Sequence, residues 1–388
     1  MCGITIFILD VAMGKTGDMD KFYSVCSQQR NAQAVIADTL AQLESAPKSA
    51  NFGFIYATDA MSVEYPELLR QCKAVTGIKH WLGTLGLGVI SSGKEYYDSP
   101  AVSILLADFD IQEFSMLPLI TDSHQVAESI TTPRDFVTHF GIVHGDPLHE
   151  STQELVAHLH ASLEHGFLVG GLTSSQHDQF QVAGDLYSGG ISGALFSENI
   201  MVQTTLSQGC SPVGDKHVVT RFQQNVAFTL DHEPALDVLL RDFGLASKEA
   251  LEETFEEVFV GICIPGSDRN DYVVRNLVGV DVERQLFAIN DYLQDEAEII
   301  FCERNPQTAI DDMQQMLESL KKRINKPIKG GLYVSCLGRG REQFGEHSEE
   351  IKMIHEALGD FPLTGFFANG EIHHDKLYGY TGVLTIFT

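Results

Sequence analysis

The stretch "GFLVGGLTSS", residues 166–175, is an apolar strand interrupted in its middle by two glycines. Two others of the same build occur: "HWLGTLGLGVI" at 80–90 and "PLTGFFANGEI" at 362–372. What surrounds each is also repeated. A short apolar strand stands upstream: "FGFIYATD" at 52–59, "FGIVHGDP" at 140–147 and "GLYVSCLG" at 331–338. A helical stretch links it to the glycine-broken strand: "VEYPELLRQCKAV", "STQELVAHLHASLEHG" and "HSEEIKMIHEALG". A last strand closes each unit: "PAVSILLADF", "GGISGALFSE" and "GYTGVLTIFT". Units of roughly 55–60 residues repeated in this way signal one supersecondary unit used more than once. The order strand, helix, strand, strand predicts an α/β (α+β) fold with mixed, largely antiparallel sheets in two packed domains.

Between the second and third units the texture changes. "ENIMVQTTLSQG", "KHVVTRFQQNVAFTL" and "DYVVRNLVGVDVERQLFAI" alternate and are β-branched, as long antiparallel strands are. "HEPALDVLLRDFG" predicts a helix stopped by its glycine, and "SKEALEETFEEVF" a second helix. "TAIDDMQQMLESLKKRI" predicts a third, acidic at its start and basic at its end. Ser151 and Glu154 are spaced as a capping box. The division expected is an N-terminal extension over 1–19, a first domain over 20–232 and a second over 233–388.

With 388 residues, 44% hydrophobic and 20% charged, the chain has ample core material. Its formal charge of −27 argues against nucleic acid and anionic lipid, both of which demand Lys/Arg patches. Cysteines at 2, 26, 72, 210, 263, 302 and 336 include no C-x-x-C pair, which reads as reduced thiols in a cytoplasmic protein. "MCGITIFILD" lacks the basic region and cleavage site of a signal peptide, and no window has the ~18 apolar residues of a membrane span.

Taken in order, "LVGGLTSS", "SQGCSPVGDKHVVT" and "LDHEPALDVL" resemble the first half of FIST proteins, a sensory family. "LYVSCLGRGREQFG" followed by "FPLTGFFANGEI" and "LYGYTGVLTIF" resembles the second half, so that the likeness spans roughly residues 20–388. The resemblance implies intracellular ligand sensing rather than catalysis. One bacterial branch of the family holds nitric oxide on b-type haem and signals to a separately encoded histidine kinase or cyclic-di-GMP enzyme, and haem-dependent nitric oxide sensing of that kind is the first expectation. The alternatives are a non-haem receptor for a small amino-acid-like metabolite and an adaptor with no ligand.

Candidate residues follow from these readings. C-x-x-C-H is absent, so haem b would hang on one neutral imidazole. His374, followed by Asp375 just past a glycine-broken strand, is the first candidate for the iron, with His373 and His177 as alternatives. A solvated hairpin turn explains the same histidines equally simply. Arg339 and Arg341, in "GRGREQFG", suit a carboxylate or propionate. Asn369, Glu371 and Tyr378 offer polar contacts, and Gly170 and Gly171 let a ligand approach the backbone. Cys210 lies in a demanding turn and would be a nucleophile only with a lowered pKa. Glu154, His158 and His165 share a helical stripe that a solvated face accounts for. "MCGI" resembles the start of N-terminal-nucleophile amidotransferases, in which Cys2 would carry the chemistry, though the rest of that pattern is missing.

Overall fold

The computed structural model describes residues 22–131, 136–163, 166–245, 250–251, 254–264 and 272–388. The extension over 1–19, Cys2 and His165 lie outside these residues, as does part of "SKEALEETFEEVF".

The repeat is real and threefold. The first unit runs β1 (Phe22–Gln28), α1 (Ala32–Leu43), β2 (Phe52–Thr58), α2 (Tyr65–Thr76), β3 (His80–Gly86), a hairpin β4 (Gly88–Ser91) and β5 (Lys94–Tyr97), and β6 (Ala101–Ala107). The second runs β7 (Phe114–Ile120), α3 (Ser123–Thr131), β8 (Thr138–Gly145), α4 (Thr152–Ala161), β9 (Phe167–Leu172), a hairpin β10 (Gln181–Ala183) and β11 (Asp185–Tyr187), and β12 (Ile191–Ser197). The third opens with β13 (Val202–Gln208) and is then interrupted. A separate module follows: β14 (Ser211–Gln223), β15 (Val226–Leu230), β16 (Glu233–Pro234), α5 (Ala235–Asp242), β17 (Val258–Cys263), β18 (Tyr272–Asp281), β19 (Leu286–Ile289) and β20 (Glu298–Glu303). The unit resumes with α6 (Pro306–Arg323), β21 (Gly330–Cys336), α7 (Arg341–Phe344), α8 (Glu349–Leu358), β22 (Leu363–Ala368), a hairpin β23 (Glu371–His373) and β24 (Lys376–Tyr378), and β25 (Thr381–Phe387).

Each unit builds the same four strands: β1-β6-β2-β3, β7-β12-β8-β9 and β13-β25-β21-β22. The strands joined through a helix are parallel, and the others antiparallel. The hairpins are exchanged. That of the second unit extends the first unit's sheet at β3, that of the third extends the second's at β9, and that of the first extends the third's at β22. The exchange closes on itself, and the three sheets form a ring.

The central glycine of each broken strand has one reason. Gly83, Gly170 and Gly365 sit opposite Ile55, Val143 and Tyr333 on the parallel neighbour. A Cβ at any of the three would fall inside contact distance of that neighbour's carbonyl oxygen. Along β2, buried on both faces, successive side chains enter two different cores. Phe52, Phe54 and Tyr56 enter the core shared by all three sheets, while Ile55 and Ala57 face the helices outside.

The inserted module is a closed six-stranded barrel, β14-β20-β17-β18-β19-β15, sealed by β15 pairing back onto β14. Its interior holds Val219, Leu236, Val260, Phe287 and Phe301. His217 in its wall bonds Asp231 at 2.6 Å and Asp242 at 2.7 Å.

Two local expectations change. Ser151 is the N-cap of α4 but makes no capping bond, because its backbone (φ −98°, ψ 5°) is not extended. Helix α6 starts at Pro306 with Asn305 as its cap, so Asp311 and Asp312 fall beyond its first turn; only the basic end follows the dipole. Gly244, past α5, is left-handed as a helix stop demands. No helix of the described residues is long and apolar enough to cross a membrane.

Candidate functional site

Three of the glycine-bearing stretches meet where the ring touches the barrel: residues 207–210 leaving β13, 335–345 after β21, and 378–382 before β25. Their hub is Gly209. Its N–H donates to the Tyr380 carbonyl at 2.8 Å and its carbonyl accepts from Gln343 Nε2 at 2.8 Å. A Cβ at this position would lie 2.5 Å from the Tyr380 oxygen and 3.0 Å from Gln343 Oε1, so no larger residue fits.

Beneath the hub Arg339 is wholly buried. Its Nε donates to Glu350 Oε1 at 2.8 Å, and both side chains are 0% exposed. Glu350 also accepts from Tyr333 Oη at 2.6 Å, Ser335 Oγ at 3.1 Å and the Gly340 N–H at 3.0 Å. Arg339 donates further to Ser207 Oγ at 3.1 Å. Its charge is therefore spent internally, and it bolts the 336–341 loop in place. Arg341 points elsewhere, pairing with Asp98 and lying 4.6 Å from the Tyr97 ring of the first unit's hairpin.

Above the hub the polar groups are incompletely matched. Glu371, fully buried, accepts from Thr381 N at 3.2 Å and Thr381 Oγ1 at 2.8 Å through one oxygen; its Oε1 has no partner. Burial pushes its carboxyl up to about 8, against the opposing pull of the Thr381 bonds, so it is mostly neutral at pH 7. Gln343 Oε1 is likewise buried and unpartnered. Arg304, just past β20, donates from Nη2 to the Gly338 carbonyl and lies 5.0 Å from the Tyr380 ring, yet its buried Nε has no acceptor. Arg304 makes no ion pair among the described residues. Nine buried side-chain polar atoms among the described residues lack a partner, and three of them gather around the 380–381 segment. Buried polar atoms are normally satisfied, so three unpartnered ones on neighbouring segments set this junction apart from the rest of the described residues.

The cysteines there are buried or half-buried. Burial pushes the Cys210 thiol up to about 12, outweighing Arg304 and Arg339, and burial likewise raises Cys336. Both are poor nucleophiles at neutral pH. The six described cysteines are free thiols.

The remaining candidates are dispersed. Gly171 faces Glu371 across the β9–β23 register, while Gly170 serves the close strand approach described above. Tyr378 is buried opposite Glu371 in the hairpin, and Asn369 is exposed. His374 is exposed at the tip of that hairpin with φ 58°, its ring 4.5 Å from His373 and 6.0 Å from His160 of α4. His177 is 67% exposed and bonds Asp59 at 2.7 Å. A b-type haem needs an enclosed apolar cradle around its axial imidazole. These three histidines stand on exposed or half-exposed polar turns and do not build one. The fully buried His144 bonds Tyr56 at 3.2 Å in the packed centre of the ring, where burial depresses it to about 3. Among the described residues no group of three or more His, Cys, Asp or Glu side chains could hold a metal ion. Glu154 and His158 are a loose exposed pair 3.9 Å apart.

A separate cleft of about 440 Å³ lies between the barrel's Arg275, Asp291 and Tyr292 and the ring's Gln153 and Lys376; Arg304, Gln343 and Glu371 do not line it. Sequence reasoning missed Gln343, Glu350, Arg304 and Tyr380. Gln343, Glu350 and Tyr380 lay inside quoted stretches, whereas Arg304 lay outside all of them.

Residues 51–233 match the FIST N domain and residues 235–374 match the FIST C domain. The seam between the two falls inside the barrel, at β16. An uncharacterized protein of Mycobacterium tuberculosis (strain ATCC 25618 / H37Rv) is 28% identical over 324 residues, covering 79% of this chain and 83% of its own length. An uncharacterized protein of Mycobacterium bovis (strain ATCC BAA-935 / AF2122/97) is 26% identical over 321 residues, covering 79% and 82%.

Proposed function

The chain belongs to the family defined by the FIST N and FIST C domains, and from that premise we propose that it is a non-catalytic receptor for a small polar metabolite, bound at the ring–barrel junction. The observation that carries this reading is the set of three unpartnered buried atoms: a cationic donor on Arg304 and oxygens on Gln343 and Glu371. A ligand with an anionic group for Arg304 and for the protonated Glu371 Oε1, and an N–H or O–H donor for Gln343 Oε1, matches all three atoms, as a free amino acid would. The guanidinium is the distinctive feature, since an unneutralised cation in a chain of charge −27 favours an anion. Output on this reading goes to a separate partner, for which the resemblance implies a histidine kinase or cyclic-di-GMP enzyme.

The test is calorimetry and thermal shift with a panel of free amino acids and small carboxylates. A binder should lose at least tenfold in affinity with Arg304→Met and with Gln343→Leu. If no compound binds the folded protein, the metabolite reading fails and the ligand-free adaptor takes its place. Titration with haem separates the remaining version: a stoichiometric Soret band that shifts with nitric oxide would overturn the non-haem assignment.

A further inference from the structure

Tyr380 occupies a position that the repeat makes comparable across units, the residue just before the closing strand. In the second unit this is Gly190, ahead of β12, with φ 52°; a Cβ there would collide with the Ile120 carbonyl. In the third unit the same left-handed conformation is kept, φ 63°, but the residue is a tyrosine. A bulky side chain held in the left-handed region is an outlier that persists only when its surroundings over-determine it, and such outliers cluster at functional sites.

The surroundings of Tyr380 are drawn from both bodies of the molecule. Its carbonyl is held on the ring side by Gly209 at 2.8 Å and Arg339 at 3.4 Å. Its ring packs edge-on at 4.8 Å against Phe259 of β17 and lies 5.0 Å from the Arg304 guanidinium. Its hydroxyl bonds Asn276 of β18 at 2.8 Å. The adjoining residue, Arg275, donates to the Leu377 carbonyl at 3.2 Å and pairs with Asp291 at 2.7 Å. Strand β18 thus grips the 377–380 segment at two successive residues, and the next residue, Thr381, holds Glu371.

We propose that Tyr380 is the coupling residue of the receptor, the point at which a change at the Arg304–Gln343–Glu371 site is passed to barrel strands β17 and β18. This rests on the receptor reading for what occupies the site, but the coupling itself is a property of the protein alone. Any ligand that draws Arg304 off the Tyr380 ring, or moves Glu371 and with it Thr381, acts on a side chain that touches both β17 and β18 of the barrel from the ring. Coupling requires a physical element that both sites bias, and Tyr380 with β18 supplies it.

The experiment is hydrogen–deuterium exchange on the full chain without ligand. Tyr380→Gly relaxes the backbone and removes the ring; Tyr380→Phe and Asn276→Ala remove only the hydroxyl bond, from either side. The expected result is that protection of residues 258–263 and 272–281 falls tenfold or more in Tyr380→Gly. It should fall by a smaller, matching factor in Tyr380→Phe and Asn276→Ala, with β2 and β8 unchanged in all three. Unchanged protection of the barrel strands, or equal loss in β2 and β8, overturns the proposal. Should Tyr380→Gly fail to fold, the two hydroxyl variants decide alone: a mismatch between them overturns it. Failure to find a metabolite would leave this result standing, so the two readings are separable.

Discussion

Glu350→Gln is the sharpest perturbation of the site's foundation. The substitution keeps the side chain's length and an acceptor for the Gly340 N–H, but removes the carboxylate paired with the buried Arg339 guanidinium, leaving only Asp312 beyond Ser207 to oppose its charge. Both members of the pair are 0% exposed, so water cannot compensate. Removing one partner of such a pair costs about 3–5 kcal/mol, chiefly the penalty of the stranded charge. At roughly 2 °C per kcal/mol for a large domain, the melting temperature should fall by about 6–10 °C. The discriminating assay is a double-mutant cycle with Arg339→Met, read by chemical denaturation. Replacing both charges removes the stranded ion, so the double variant should be more stable than Glu350→Gln alone by about 2 kcal/mol or more. Additive losses, or a shift under about 2 °C for Glu350→Gln, would refute the claim that this pair bolts the 336–341 loop.

The strand-contact glycines give a paired prediction: Gly365→Ala, against the Tyr333 carbonyl, should cost about 3 kcal/mol or more or abolish folding, while Gly279→Ala, with open space around it, should stay within about 0.5 kcal/mol by urea denaturation. Glu371 predicts a pH dependence. Its folded pKa of about 8 lies above the ordinary 4.5, so the folded state holds the proton more tightly, and its contribution is lost as pH rises from 4.5 through 8; Glu371→Gln should flatten that slope in melts across pH 5–8. His217 predicts another in the barrel. Burial opposes its charge, but the bonds to Asp242 and Asp231 outweigh it and raise its pKa, so its contribution is complete below about 6.5 and declines as pH rises. Asp231 is shifted the other way by the His217 bond against burial, and its contribution is lost as pH falls below 3.8; His217→Asn should remove the alkaline decline in barrel hydrogen exchange.

The repeat was legible because its cause is local. A glycine forced by a neighbouring carbonyl recurs in the sequence wherever the same strand pair recurs, and Gly83, Gly170 and Gly365 announce three copies of one unit. The exchange of hairpins was not legible, since "ISSGKEYYD" carries no mark of pairing with β22, some 270 residues away, rather than with its own sheet. Among the site residues, Arg339 was visible as a guanidinium suited to a carboxylate, and Glu371 as a polar group in apolar surroundings. The role of Arg339 was not, because its partner Glu350 arrives one helix later and only packing brings them together. The histidine pair was the most conspicuous feature in one dimension and is peripheral in three: it marks the tip of a lent hairpin, where side chains face water.

The hairpin exchange gives the ring no intrinsic beginning. The first and last described strands meet, with the Phe22 and Phe387 rings 5.2 Å apart, so the seam between them is one of three equivalent seams. A circularly permuted chain, joined there and opened between β6 and β7, should assemble the same ring. A chain with the β23–β24 hairpin deleted and β25 kept should not, because the third unit would withhold the two strands that cover the edge of the second. Each unit is thus guarantor of another's edge, and selection on any one of them is felt by its neighbour.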